Sequence, residues 1–201
     1  MINKEEKFWN AVCDTEIDWQ AVSDLLRSLW TRDMSLAVYN ALSDACRQEM
    51  VLQDDRLLKL SRAYKGNRQN YAAAFLSEVL KAFDAMKEIG RHALLRTDLP
   101  VPEEIRALVE LSAGAASEWQ KILRYMKEVE GNRMKIEARA HRIAAYRERA
   151  DKESVAVLRE LYTGEDAVSL VYWKDAVTAL TRFLSAVDRQ TELLQKLIEA
   201  E

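Results

Sequence analysis

The sequence predicts an all-α protein with the architecture of an elongated antiparallel helical bundle. Glycine and proline, which interrupt helices, number only five and two among 201 residues. Apolar residues also recur at spacings of three and four, which place them on one face of a helix. The clearest such stripe is near the end of the chain, at Trp173, Val177, Leu180, Leu184 and Val187.

Turn and capping residues divide the first half into four predicted helices. Trp19 and Val22 begin the apolar face of the second helix. Gly66 and Asn67 supply an end for the third helix and a start for the fourth, and the fourth stops before Pro100. The predicted helices of this half are residues 4–12, 17–30, 35–64 and 69–96.

The second half begins at Pro102, which is tolerated in a first helical turn and is followed by two acids that suit a helix N-terminus. Gly131 and Asn132 predict either a kink or a chain reversal. The sequence YTGED, residues 162–166, turns the chain into the last helix. The predicted helices are residues 102–130, 133–162 and 166–198, and helices near 30 residues are roughly 45 Å long.

The proline-bearing stretch lies at the midpoint of the chain. We predict one helical domain over residues 1–201, with pseudo-repeat halves at about 1–98 and 101–201, because the proline-bearing stretch divides the chain into two parts of about 100 residues each. Similarity between the halves is weak, so a single continuous bundle is the alternative.

The formal net charge of −3 argues against a generic nucleic-acid binder. From Lys121 to Lys152, however, the sequence contains ten Lys or Arg residues and five Asp or Glu residues, a local excess of five positive charges. A solvated helix face explains this excess, and a docking surface for an acidic partner or an anionic lipid is the functional alternative. The candidate partner-binding residues are Arg133, Arg139, Arg142 and Arg147.

Other sequence features predict a cytoplasmic protein without catalytic activity. Cys13 and Cys46 have no metal-binding or secreted-disulfide spacing. The first residues, MINKEEKFWN, lack an apolar signal core, and no run approaches the roughly 20 apolar residues of a membrane span. No nucleophile motif or glycine-rich phosphate loop is present. The five tryptophans are predicted to pack in the core, with a protein interface as the alternative.

Two Glu–His pairs are candidate metal ligands. Glu88 and His92, and Glu137 and His141, are each four residues apart, so both members of a pair share a helix face. Such pairs from two helices can hold Zn or Fe, but they also arise as ordinary surface pairs. A lone acid, Asp188, directly follows the last apolar stripe.

The stretch LRELYTGEDAVSLVYWKDAVTALTRFLSAVDRQTELLQKL, residues 158–197, resembles the C-terminal segment of PhoU-like proteins. The similarity is to the short accessory regulators associated with Pit-type inorganic-phosphate transporters, and it rests on the acidic turn, the WKD sequence and the final Asp. The mid-chain LPVPEEIRALVEL and the long-helix pattern also fit. The resemblance implies a pair of three-helix units, which often carry Fe or Zn clusters on Glu/Asp-x-x-x-Asp motifs.

The chain departs from those motifs. Leu184 stands four residues before Asp188, His141 follows Glu137, and Leu80 precedes Asp84 where the family has an acid. A full cluster is therefore not expected, and no cofactor is the default prediction. A reduced Fe or Zn site would use Glu137, His141, Asp188 and Asp84.

The resemblance implies an accessory regulator of phosphate transport that acts through protein–protein contacts. It would dock on the cytoplasmic side of a Pit-type transporter and so lie at the inner membrane through its partner. Three alternatives stay open: a metal-binding protein with a reduced site, a structural adaptor that has lost metal and phosphate roles, and a self-assembling bundle. A homo-oligomer is compatible with each of these.

Overall fold

The computed structural model describes residues 4–13, 17–30, 35–63, 66–95, 101–163 and 167–200, and these residues form an all-α helical bundle. The predicted fold class is confirmed. The described residues contain seven α-helices and one short 3₁₀ helix. They are α1 (Lys4–Cys13), α2 (Trp19–Ser28), α3 (Leu36–Ala63), α4 (Asn67–Leu94), α5 (Glu103–Tyr125), the 3₁₀ turn (Met126–Glu128), α6 (Val129–Thr163) and α7 (Ala167–Glu199).

The reversal between α5 and α6 lies earlier than Gly131 and Asn132, the residues that predicted it. The chain turns through Met126–Glu128, and Gly131 and Asn132 belong to the first turns of α6. Buried Met126 anchors the turn in the core. The Asn132 side chain donates a 2.9 Å hydrogen bond to the carbonyl of Glu128.

Contacts between distant residues fix the directions of the long helices. Gly114 of α5 lies against Tyr146 of α6, and Glu118 contacts Arg139 further along, so α5 and α6 run antiparallel. The Tyr172 hydroxyl, near the start of α7, contacts the His92 carbonyl, near the end of α4, so the start of α7 lies beside the end of α4. The most extensive packing among the described helices joins α4 to α7. Helices of both sequence halves therefore share contacts, and the pseudo-repeat itself stays a prediction.

Small residues allow α5 and α6 to approach closely. A Cβ atom on Gly114 would lie only 3.1 Å from the Tyr146 ring. Neighbouring Ala113, Ala115 and Ala116 are completely buried. The small residues of the SAGAAS sequence thus let the Tyr146 ring approach the α5 backbone closely, which sets the spacing of the hairpin.

The core contains the apolar residues that the sequence pattern predicted. All five members of the α7 stripe are buried, and Phe183 joins them. The five tryptophans are also buried, which confirms their core assignment over an exposed-interface one. Trp19 stacks on Phe83 with ring centroids 5.8 Å apart, which links α2 to α4.

Helix α3 lies at the edge of the bundle and packs mainly on α4. Its buried side includes a polar group in which Glu49 accepts hydrogen bonds from Gln53 at 2.7 Å and from Arg56 at 2.8 Å. Cys46 is fully buried one turn before Glu49. Among the described residues, no helix combines the length and the apolar character needed to cross a membrane.

Candidate functional site

The structure places the four candidate partner-binding arginines in three separate settings. Arg139 and Arg142 lie where α5 meets α6. Arg147 lies between α6 and α7, within 3.6 Å of Asp188. Arg133 is exposed and makes a 3.4 Å ion pair with Glu137 on its own helix. Only two of the four therefore share a surface.

That surface follows the line of contact between α5 and α6. Residues 118, 121 and 125 of α5 are spaced by three and four, as are residues 135, 139 and 142 of α6, so each set lies on one face of its helix. We call this surface the basic seam and define it as Glu118, Lys121, Tyr125, Lys135, Arg139 and Arg142.

Glu118 is the buried acid of the basic seam, and it binds the basic side chains around it. The residue is only 5% exposed, although it carries a carboxylate. Its two oxygens accept hydrogen bonds from Lys121 at 2.6 Å and from Arg139 at 2.8 Å, and the Arg142 guanidinium lies 3.9 Å away. Burial disfavours the ionised carboxylate, but the hydrogen bonds from Lys121 and Arg139 outweigh burial and hold the pKa of Glu118 below its ordinary value.

The seam presents more positive charge than Glu118 can neutralise. Four bases share it with one acid, and the Lys135 ammonium lies 5.4 Å from the centre of the Tyr125 ring. Arg142 has a side chain that is 60% exposed, whereas that of Arg139 is 25% exposed. The outer cations are thus available to an anionic surface, while Glu118 fixes the inner ones in place.

Glu118 and Lys121 were not among the residues selected from the sequence. Glu118 stands in AASEWQK, one turn after Gly114, on the tightly packed face of α5. A carboxylate on a packed helix face is buried, and a buried charge requires a partner of opposite charge. An acid among small packed residues was therefore the sequence signal that could have identified Glu118. Which helix supplies the partner depends on the fold.

The candidate metal ligands are distributed over several environments. Glu137 and His141 are exposed on α6. Asp84 is half-exposed and pairs with Lys87 at 3.3 Å. Within the described ranges, no three His, Cys, Asp or Glu side chains group closely enough to hold a metal ion. Metal binding by Glu137, His141, Asp188 and Asp84 stays a prediction.

The two Glu–His pairs lie near opposite ends of the bundle. His92 is level with Tyr172 on α7, whereas His141 lies beyond Arg147, which is level with Asp188. Tyr172 and Asp188 are separated by roughly 24 Å along α7. The pairs therefore do not converge on one metal ion.

Asp188 lies at the base of a polar groove of about 600 Å³ between α4, α6 and α7. Its carboxylate is 9% exposed and lies 3.6 Å from Arg147, which also contacts Asp151 at 3.4 Å. Burial raises the pKa of Asp188, and Glu192 adds to the rise, although Arg147 opposes it. Four acids and four bases line the groove, so it has no net charge to select a charged ligand.

A second feature that the sequence did not reveal joins the turn that follows α2 to α4 and α7. The Tyr172 hydroxyl donates a 2.5 Å hydrogen bond to the His92 carbonyl and accepts one of 2.8 Å from the Trp30 indole. Trp30 has φ of 60°, a left-handed conformation that is uncommon for a bulky residue. Burial, followed by nearby Arg91, lowers the pKa of His92. We interpret this arrangement as structural, because the Trp30 indole, the Tyr172 hydroxyl and the His92 carbonyl form hydrogen bonds with one another.

Comparison with known proteins adds no assignment. No protein-family model matches the chain, and no curated protein matches it.

Proposed function

We propose that the protein acts without catalysis, as an accessory protein that binds an acidic surface of a protein partner through the basic seam. The observation that supports this proposal is the position of Glu118, which holds Lys121 and Arg139 in fixed geometry, while Arg142 is exposed and the exposed Lys135 lies over the Tyr125 ring and bonds Asn132. Lys121 and Arg139, which Glu118 holds, lose little freedom on binding, and they add positive charge beside the exposed Arg142, so the seam suits charge-complementary recognition.

The partner that we propose is a Pit-type phosphate transporter on the cytoplasmic side of the inner membrane, where the protein would regulate phosphate transport. This part of the proposal depends on the resemblance of residues 158–197 to the accessory regulators of such transporters. The seam refines the contact, since it replaces Arg133 and Arg147 with Lys121 and Lys135 and keeps Arg139 and Arg142.

A charge-reversal experiment tests the seam. The double variant Lys135→Glu, Arg142→Glu alters the outer cations but leaves both hydrogen bonds of Glu118 in place. We expect it to weaken co-purification with the transporter roughly tenfold or more and to change phosphate uptake. Unchanged binding and uptake would remove the basic seam from the proposal.

The matched control carries the same change in charge elsewhere on α6. Arg133→Glu, Lys152→Glu alters two exposed bases that pair with acids on their own helix, away from the α5–α6 contact. We expect it to bind as the wild type does. If the seam variant loses a protein partner other than the transporter, the adaptor function replaces phosphate regulation.

A reduced metal site is tested separately by elemental analysis of untagged protein grown with added iron and zinc. Near-stoichiometric metal that disappears in the Glu137→Ala, His141→Ala variant would establish the metal-binding alternative. If the protein contains no metal and still binds its partner through the basic seam, the result would support the accessory function without a metal site.

A further inference from the structure

The polar groove between α4, α6 and α7 contains a buried carboxylate whose capacity for hydrogen bonds is unfilled. Asp188 is only 6% exposed, yet its carboxylate oxygens accept no hydrogen bond from any residue that the structure describes. Its one ion pair within the described ranges is with Arg147 at 3.6 Å, and Arg147 lies closer to Asp151, at 3.4 Å. Buried polar groups in native proteins nearly always have a hydrogen-bond partner. The free oxygens of Asp188 therefore point to a donor from outside the chain.

Most of the other charges that line the groove pair with one another. Lys81 pairs with Glu78 within α4 at 2.7 Å, and Arg189 pairs with Glu192 within α7. Arg182 of α7 is the exception, since it is exposed at the groove and makes no ion pair or hydrogen bond with another described residue. The groove is neutral as a whole, but it holds one buried acid and one exposed base that lack a close partner.

These two groups lie on the same helix at a defined separation. Arg182 and Asp188 are six residues apart on α7, which separates them by about 9 Å along the helix axis. Ser185 lies between them and also lines the groove, and its hydroxyl forms no hydrogen bond with a residue in the described part of the chain. Because one continuous helix carries all three residues, their order and spacing along the groove are fixed.

We propose that the groove binds a small zwitterion in which a chain of several carbons separates a primary ammonium group from a carboxylate. The ammonium group donates hydrogen bonds to Asp188, and the carboxylate accepts them from Arg182 and Ser185. Such a ligand has no net charge, in keeping with the neutral groove, whereas a ligand with a single charge leaves either Asp188 or Arg182 unmatched.

The size and position of the groove are compatible with this ligand. Its volume of about 600 Å³ lies in the range of small-molecule sites in proteins. It opens to solvent through the exposed side chains of Arg182 and Arg189, so a ligand can enter without a change of fold. The site is independent of the basic seam, because α5 contributes none of its residues.

NMR titration of the isotope-labelled full chain with 6-aminohexanoate tests the site, with a chelator present so that no metal ion takes part. We expect saturable shifts of the amide signals of Arg182, Ser185 and Asp188, with a dissociation constant in the millimolar range or below. Hexanoate and hexylamine each keep one charged group, and glycine keeps both groups too close together. Each should bind at least roughly tenfold more weakly. Equal or tighter binding of any of these three analogues overturns the proposal, as does the absence of saturable binding.

Two variants assign the two ends of the ligand. Asp188→Asn should lower the affinity for 6-aminohexanoate roughly tenfold, to about that of hexanoate, and Arg182→Gln should lower it to about that of hexylamine. The matched controls, Asp175→Asn and Lys174→Gln, make the same changes of charge at exposed positions of α7 outside the groove and should bind as the wild type does. The proposal is wrong if the first two variants bind normally, or if the controls bind as weakly as they do. Circular dichroism confirms that each variant is folded.

Discussion

Arg139 on α6 donates a 2.8 Å hydrogen bond to Glu118, a buried carboxylate on the antiparallel helix α5. Lys121 holds the other oxygen of the same carboxylate. One acid thus joins the two helices of the hairpin and also fixes the inner cations of the basic seam. Stability and partner binding are coupled at this point, and variants can separate the two.

Glu118→Gln should lower the free energy of unfolding at neutral pH by roughly 1–3 kcal/mol, because two charge-assisted hydrogen bonds lose their ionised acceptor. The pKa of Glu118 is lowered in the fold, so its contribution is present above its ordinary pKa and is lost as the pH falls through the folded value. Urea unfolding at several pH values measures the difference in the free energy of unfolding between the wild type and the variant. This difference should become smaller at acid pH.

Glu137→Gln is the matched control, since Glu137 makes only an exposed ion pair with Arg133 in the preceding turn of the same helix. Its effect should stay within about 0.5 kcal/mol. Equal losses for the two variants would mean that burial gives Glu118 no special role.

Gly114→Ala tests the close approach of α5 and α6. Alanine favours a helix over glycine by about 1 kcal/mol, but its Cβ would lie 3.1 Å from the Tyr146 ring. We expect the steric cost to dominate, with a net loss of about 1 kcal/mol. In a Tyr146→Ala background the obstacle is absent, so the same change should stabilise the protein. A double-mutant cycle by thermal or urea unfolding measures the sign reversal; a loss in both backgrounds would contradict the packing argument.

Tyr172→Phe removes the hydroxyl that joins the Trp30 indole to the His92 carbonyl. Because both atoms lie in a largely buried cluster, we expect a loss of about 1–3 kcal/mol and a change in tryptophan fluorescence. Tyr162→Phe is the control, since the Tyr162 side chain is exposed at the C-terminal end of α6. A Tyr172→Phe variant as stable as this control would show that the hydroxyl is dispensable.

The sequence allowed prediction of the fold because apolar spacing and helix breakers act locally. The α7 stripe from Trp173 to Val187 is buried as its period predicts. The sequence predicted the chain reversal at Gly131 and Asn132, a few residues after its position at Met126–Glu128. Buried Met126 determines the position of the turn more than the nearby Gly131 does. Local signals identify that a turn occurs, whereas tertiary contacts choose its residue.

The candidate site was less accessible to sequence analysis. A basic stretch on one helix contains residues on every face, and only the arrangement of helices decides which bases share a surface. Arg139 and Arg147 are eight residues apart, yet one pairs with α5 and the other with α7. Glu118 was missed for the same reason, since its partners come from two helices.

The two thiols should differ sharply in reactivity. Cys13 is half-buried, whereas Cys46 is fully buried, and burial raises the pKa of its thiol to about 11 despite nearby Lys87. With a thiol reagent at mildly alkaline pH, one cysteine per chain should react quickly and the other at least roughly 100-fold more slowly. In Cys13→Ser the fast phase should vanish. A remaining fast phase would mean that α3 opens readily from α4.

Asp188→Asn should raise the free energy of unfolding at neutral pH by roughly 1 kcal/mol. Burial raises the pKa of Asp188 in the fold, so the folded state binds its proton more tightly than the unfolded chain does. Stability therefore falls as the pH rises from the ordinary pKa to the raised one, and the whole cost is present above that window. Asparagine removes the cost, so the advantage of the variant should disappear at acid pH.

Asp151→Asn provides the control, because Asp151 contacts the same arginine, Arg147, but is about half exposed. It should change stability little, because its ion pair is exposed. The same pair of variants bears on the metal hypothesis: if Asp188 were a ligand in metal-loaded protein, Asp188→Asn would lower stability, and a chelator would turn that loss into the gain expected for the metal-free protein. A gain at neutral pH that a chelator leaves unchanged would instead establish Asp188 as a buried acid whose partner is Arg147.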